Sequence, residues 1–398
     1  MNVSLFILIY CIYVRVKNSL RVNVKGLSMV SQKNIIIIGA GPAGLTSGYL
    51  LAKKGFGVTI LEADERYVGG ISRTESINGF YFDIGGHRFF SKSKEVEDLW
   101  TELLPNDMLD RPRSSRIYYN NKFYAYPLKA FEALFNLGII ESILCVLSYV
   151  KSSIFPVKNP KNFEDWVTNQ FGKRLFAIFF KTYTEKVWGM DTKDISADWA
   201  AQRIKGLSLS SAIWNAIKPK SKVRDKSKLI KTLIDSFRYP RRGPGMVWDA
   251  AASKIQEMGG EIKMGVFVNQ LELIDNVWKV HGVTKSGGKE IFESDHVISS
   301  APMRELFQAI AHPEVSANAL NSANSLRYRD FLTVALVVTE QNVFDDNWIY
   351  IHDPSVKVGR IQNFKSWSPE MVPDESYNCY GLEYFCFEGD GLWTSSDE

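Results

Sequence analysis

The chain has 398 residues, enough for two or three domains around a large core. Its 45% hydrophobic and 23% charged content is ordinary for a globular protein, and a net charge of only +4 speaks against a nucleic-acid-binding role. The four cysteines (Cys11, Cys145, Cys379, Cys386) form no Cys-x-x-Cys pair, so neither a disulfide framework nor a metal site is expected and a reduced, cytoplasmic setting fits.

In chain order, Val3–Val14 is apolar and is followed by Arg15, Lys17, Arg21 and Lys25. The run is shorter than the roughly 20 residues of a membrane span. A signal peptide carries its charge before the apolar run, not after it. Residues 1–28 therefore read as an extension, with Met29 as the natural start of the protein and a surface anchor as the alternative.

Ile35–Ile38 then leads into Gly39-Ala40-Gly41-Pro42-Ala43-Gly44, a helical segment, a second apolar run and Glu62. The order strand, glycine turn, helix, strand, acid is the dinucleotide-binding fingerprint. Gly39 permits the tight turn, Gly41 lets the backbone approach a pyrophosphate, and Gly44 lets the helix pack on the sheet. The helix N-terminus offers unpaired N–H groups to the phosphates, and Glu62 is placed to accept from ribose hydroxyls. A second glycine pair, Gly69-Gly70, follows with Ile71-Ser72-Arg73, and Phe80–Ile84 runs as a strand into Gly85-Gly86-His87. More backbone positions of close approach favour an extended FAD over NAD. Gly85-Gly86 can also be a simple turn and His87 a satisfied loop histidine.

Arg116–Tyr126 reads as a hairpin turning at Asn120-Asn121. From Leu128 to about Ile217 the pattern is helical, and the apolar Phe131–Phe155 is expected to be buried within it. Lys218–Lys231 is lysine-rich, either a solvated loop or a surface for an anionic membrane or a phosphorylated substrate. Gly243–Pro302 alternates again: a helix, two hairpins turning near Asp275-Asn276 and Ser286–Gly288, and His296–Pro302 as a buried strand. Phe331–Val338, Trp348–His352 and Tyr380–Phe387 are strand-like, and another helix is expected to begin near Leu392.

The glycine fingerprint, the second glycine pair and the Gly85-Gly86-His87 strand together resemble the flavoprotein group of amine oxidases, protoporphyrinogen oxidase, phytoene desaturase and UDP-galactopyranose mutase. Within that group, FFKTYTEKVWG (Phe179–Gly189) closely resembles the FFxxYTxKxWG run of UDP-galactopyranose mutases. The competing reading of these aromatics is a core stripe at helical spacing.

The resemblance implies an α/β fold: a Rossmann-type FAD-binding domain with an inserted helical domain and an antiparallel β-sheet substrate domain. Its expected parts are the 29–110 and 239–312 halves of the FAD-binding domain, a 111–127 hairpin of the substrate sheet, a 128–238 helical domain and a 313–398 sheet domain. FAD would be held by Gly39, Gly41, Gly44, Glu62, Gly69, Gly70, Arg73, Gly85 and Gly86, with His87 beside the flavin. Phe179, Phe180 and Tyr183 would hold uracil, Trp188 would line the sugar pocket, and Arg203 and Arg360 would grip the pyrophosphate. Arg329, in Leu326-Arg327-Tyr328-Arg329, resembles the family's LxYR arginine near flavin or phosphates.

Three departures stand out. Gly359 replaces the Thr of the family's second phosphate-binding motif, and Arg241-Arg242-Gly243-Pro244-Gly245 replaces the mutases' short segment after the helical domain with a form closer to other flavoproteins of the wider group. The family's GRxGxYxYxxMD-type last segment has no counterpart after Phe387, so the chain reads as truncated before it. The implied activity is interconversion of UDP-galactopyranose and UDP-galactofuranose, or of a related UDP-sugar. In the family, N5 of reduced FAD attacks the anomeric carbon, displaces UDP and forms a flavin–sugar adduct. The alternatives are a net FAD-dependent oxidoreductase and a non-catalytic flavoprotein fragment. The implied partner is a UDP-sugar; membrane contact is at most peripheral, and a homodimer is left open.

Overall fold

The computed structural model describes residues 33–204, 208–209, 235–339 and 344–396. The expectations for residues 1–28 and for Lys218–Lys231 lie outside the described residues.

A four-stranded parallel sheet runs in the order His296–Ser299, Asn34–Ile38, Gly57–Leu61, Glu261–Lys263. Its centre explains the isoleucine run. Ile35 and Ile37 face the helices Pro42–Ala52 and Gly245–Glu257, while Ile36 and Ile38 face Leu61, Val266, Leu271 and Val280. A central strand covered on both faces must be apolar at every position. His296–Ser299 lies at the sheet edge and is only partly buried, which corrects the expected buried strand.

The second cover is an antiparallel meander of Val266–Ile274, Val277–Thr284 and Lys289–Ser294. Asp275 and Asn276 take φ of 51° and 63°, as a two-residue primed turn requires. Asn120 and Asn121 do the same at 48° and 59° between Ser115–Tyr119 and Lys122–Ala125.

That hairpin joins a six-stranded sheet in the order Asp330–Val338, Asn378–Cys386, Arg360–Asn363, Trp348–Ile351, Ser115–Tyr119, Lys122–Ala125. Arg360–Asn363 is a strand that the hydropathy pattern did not reveal, because it is short and mostly polar. Past Leu392 the chain forms a turn in place of the expected helix.

Between the hairpin and residue 204 the chain is helical: Ala130–Leu137, Ile139–Ile154, Phe163–Phe171, Lys173–Phe176, Thr182–Trp188 and Ala197–Ile204. A π-helical turn, Ala177–Lys181, interrupts the run just before Thr182. The expectation that Phe131–Phe155 is buried is wrong for much of that run. Phe135 is 87% exposed, and Ile139 and Ile140 are 81% and 78% exposed because the helix Ile139–Ile154 packs through its opposite face, with Cys145 inward.

Candidate functional site

The glycine turn is built for close approach. Gly39 has φ of 93°, and a Cβ on Gly44 would fall 1.9 Å from the Gly39 carbonyl oxygen, so both positions demand glycine. Gly41 caps the helix Pro42–Ala52, and nothing lies within 4 Å of where its Cβ would be. The helix N-terminus therefore faces open space with its N–H groups unobstructed, a cradle that fits a pyrophosphate. Glu62 closes it, accepting from Ala40 N at 2.6 Å and from Asp64 N at 2.8 Å. Beyond Glu62, an open groove of about 700 Å³ is lined by residues that include Asp64, Arg66, Phe267 and Thr284.

The second glycine pair belongs to the same cradle. Gly69 N donates to Ala40 O at 2.8 Å, and a Cβ on Gly70 would come within 3.5 Å of Gly41 Cα. Arg73 is pinned between Asp64 and Glu75, both at 2.8 Å, so it orders this loop.

Gly85-Gly86-His87 carries the cradle toward the six-stranded sheet. A Cβ on Gly86 would strike the Gln362 amide at 2.4 Å. His87 Nε2 lies 2.8 Å from Ile84 O, and burial lowers its proton affinity, so the imidazole is neutral. Gln362 in turn donates to Glu383 at 2.6 Å, and Glu383 grips Arg360 through two bonds of 2.6 and 2.9 Å. This bidentate pair is buried, and the attraction of Glu383 outweighs burial to hold Arg360 charged.

Above it stands Tyr183, stacked on His352 (4.9 Å, 9°) and edge-on to Tyr350 at 5.2 Å. Burial pushes its phenol well above the usual tyrosine range, and burial holds His352 down at about 3, so both are neutral at physiological pH. Tyr183 Oη, His352 Nδ1 and Gln362 Oε1 are buried without a hydrogen-bond partner. Three such orphans in one cluster point to a ligand or ordered water, because buried polar atoms are otherwise satisfied. Arg88 and Arg113 flank the cluster, each over the Trp348 ring at 5.4 and 5.5 Å.

The structure thus brings His87, Tyr183 and Arg360 together. The other residues expected to meet the substrate make different contacts. Phe179 is 5% exposed and meets Tyr124 edge to face, while Phe180 packs on Phe171. Trp188 meets Trp199 edge to face at 5.3 Å, its indole N–H unpartnered. Arg203 is on the helix Ala197–Ile204, its side chain outside the described residues. Arg329 donates to Val187 O, Lys186 O and Phe385 O at 3.1, 3.2 and 2.8 Å, bracing the end of the helix Thr182–Trp188.

Lys186, inside the same motif, braces that helix from the other side. Its ammonium reaches the carbonyls of Ile351, Asp353 and Val358 at 3.1, 2.5 and 3.3 Å, tying the helix to the loop before Arg360. Sequence reasoning missed Glu383, His352 and Tyr350, whose only signal was a place in strand-like runs, and Gln362, whose short strand gave no signal. Arg88 directly follows Gly85-Gly86-His87 and was in plain view. Among the described residues no group of His, Cys, Asp or Glu could hold a metal ion.

Residues 37–103 match the family described as NAD(P)-binding Rossmann-like domain. Over most of its length the structure superposes on a reduced UDP-galactopyranose mutase, with a TM-score of 0.75 and 22% identity, covering 89% of this chain and 74% of that one. The chain has the UDP-galactopyranose mutase fold.

In sequence, the curated relatives include desaturases, sugar mutases and L-amino-acid oxidases. A phytoene desaturase from Fusarium fujikuroi is 26% identical over 68% of this chain and 50% of its own length. A probable UDP-galactopyranose mutase from Klebsiella pneumoniae is 25% identical over 42% of this chain and 44% of its own. The chain thus spans about half the length, 50% and 44%, of these curated relatives.

Proposed function

We propose that the chain is an FAD-dependent enzyme that rearranges a nucleoside-diphosphate sugar in the manner of a UDP-galactopyranose mutase. The observation that carries this is the single buried cluster joining Gly85-Gly86-His87 to Tyr183 and Arg360. It sets the continuation of a dinucleotide cradle against a positive, aromatic wall with unsatisfied polar atoms.

When bound in its reduced form, FAD would supply an electron-rich centre to the reaction with no net redox change. The chain's residues do the rest. The N-terminus of the helix Pro42–Ala52 holds the cofactor's pyrophosphate, with Glu62 at its ribose. Glu383 occupies Arg360 Nε and Nη2, which leaves Nη1 to meet a substrate phosphate and fixes its direction. Arg203 would add a second cation on the departing diphosphate, with Phe180 and Tyr183 against the base and Trp188 toward the sugar. Phe179 is the enclosed support behind them. The Tyr183 phenol keeps its proton and so donates a hydrogen bond in place of acting as a base. Neutral His87 and His352 leave the arginines as the charged groups that a diphosphate meets.

The reading is tested by anaerobic turnover of FAD-reconstituted, dithionite-reduced protein with UDP-galactopyranose. Conversion to the furanose form without consumption of reductant is expected, and no conversion rejects the substrate. A second reading, net oxidation, is favoured by the desaturase relative, whose match covers more of the chain than the mutase match. Stoichiometric reduction of an electron acceptor by a substrate would establish it.

A further inference from the structure

The helix Ile139–Ile154 turns an apolar face to solvent. Ile139, Ile140, Ile143, Leu147, Val150 and Ile154 recur at helical spacing on one side, and all are exposed. Phe135, on the preceding helix, and Phe155, at the C-terminal end of this one, are also exposed, at 87% and 76%. Surface helices ordinarily present polar residues outward. Here the inward side is already taken: Cys145 is fully buried, Tyr149 packs in the helical core, and Glu141 pairs with Arg174. The outward stripe is therefore a surplus face on a properly docked helix.

The charges around it have one sign. Between residues 129 and 161 the exposed ionisable side chains are Lys129, Lys151, Lys158 and Lys161. The segment's two acids, Glu132 and Glu141, are half-buried and engaged, Glu132 with Ala125 N and, at 3.9 Å, with Lys129, and Glu141 with Arg174. We propose that this face docks the protein on the surface of an anionic lipid bilayer, with the apolar stripe inserted and the lysines at the headgroups. Among the described residues no helix is long and apolar enough to cross a membrane. A helix of 16 residues is about 24 Å long. It lies in the plane of the interface, its stripe sunk about 5–10 Å. A second copy of the chain fits less well, because a symmetric contact through the stripe would set the lysines of one copy against those of the other.

The test is flotation of the full chain with phosphatidylcholine vesicles containing one quarter phosphatidylglycerol, and with phosphatidylcholine alone. Binding is expected to the anionic vesicles and to weaken in about 0.5 M salt. The double variant I143E/V150E changes only exposed positions, so its melting temperature without vesicles should match the parent. Its partitioning should fall at least about tenfold. The triple variant K129Q/K151Q/K158Q should lose the preference for anionic over neutral vesicles. The proposal is overturned if no vesicle is bound, or if I143E/V150E binds as the parent does. A dimer abolished by I143E/V150E, with no vesicle binding, would assign the face to a second copy instead.

Discussion

Asp83 ends the strand Phe80–Asp83 with its carboxyl enclosed, accepting from Tyr239 Oη at 2.5 Å and Thr74 Oγ1 at 2.9 Å. Burial raises its pKa from 3.8 to about 7, against the pull of those two donors. The folded protein therefore holds a proton that the unfolded chain releases above pH 3.8, so this group lowers stability as pH rises from about 4 to about 7. The variant D83N removes that component. Its stability relative to the parent should rise across that window by about 2–4 kcal/mol and level off above it, read from melts at several pH values. A pH-independent difference would show that Asp83 is ionised in the folded state. At this scale the sequence speaks unevenly. Arg360 was legible through a family resemblance, whereas its partner Glu383 was not, because the two meet only when antiparallel strands pair them directly. Single-residue chemistry that depends on register is invisible until the register is known.

The helix Thr182–Trp188 illustrates what spacing can and cannot convey. The motif Phe179–Gly189 was recognised, but regular helical spacing places Phe179, Phe180 and Tyr183 on adjoining faces. The π-helical turn Ala177–Lys181 rotates that relation, so Phe179 enters the helical core while Tyr183 faces Arg360. Two cations then hold the helix, Lys186 on three carbonyls and Arg329 at its C-terminal end. Replacing Lys186 with Met strands three carbonyls and should cost about 1.5–3 kcal/mol of stability. Nucleotide binding should suffer with it: K186M is expected to bind UDP at least about fivefold more weakly while retaining FAD. Loss of stability with UDP affinity intact would limit Lys186 to holding the loop. The helix Ile139–Ile154 was read as buried for a related reason: an apolar run has the same composition whether protein or another apolar phase covers it.

For the molecule as a whole, the dinucleotide fold was legible because its demands are local. A glycine turn, a helix start and a strand-end acid lie within thirty residues, Gly39 to Glu62, and each demand is met by residue type. The six-stranded sheet was legible as strands but not as a sheet, since nothing local sets the order of strands far apart in sequence. The two halves meet where Gly86 touches Gln362, so cofactor binding should be felt across the molecule. FAD at one hundred times its dissociation constant should stabilise the protein by about 2.7 kcal/mol, seen as a rise in melting temperature. In G44A the added methyl would meet the Gly39 carbonyl, and that rise should vanish. An undiminished rise in G44A would place the cofactor elsewhere.

The pairing of Ser115–Tyr119 with Trp348–Ile351 carries a consequence for biosynthesis. Ser115 and Trp348 are register partners although most of the chain separates them, and Glu383 enters the sheet later still. A ribosome must deliver nearly all of the described chain before the Arg360 cluster can assemble, whereas strand Asn34–Ile38 has its first partner, Gly57–Leu61, almost at once. Pairings of such separation form slowly. The hairpin's aromatic edge must wait unpaired meanwhile, a period in which a chaperone is the natural custodian of residues 115–125.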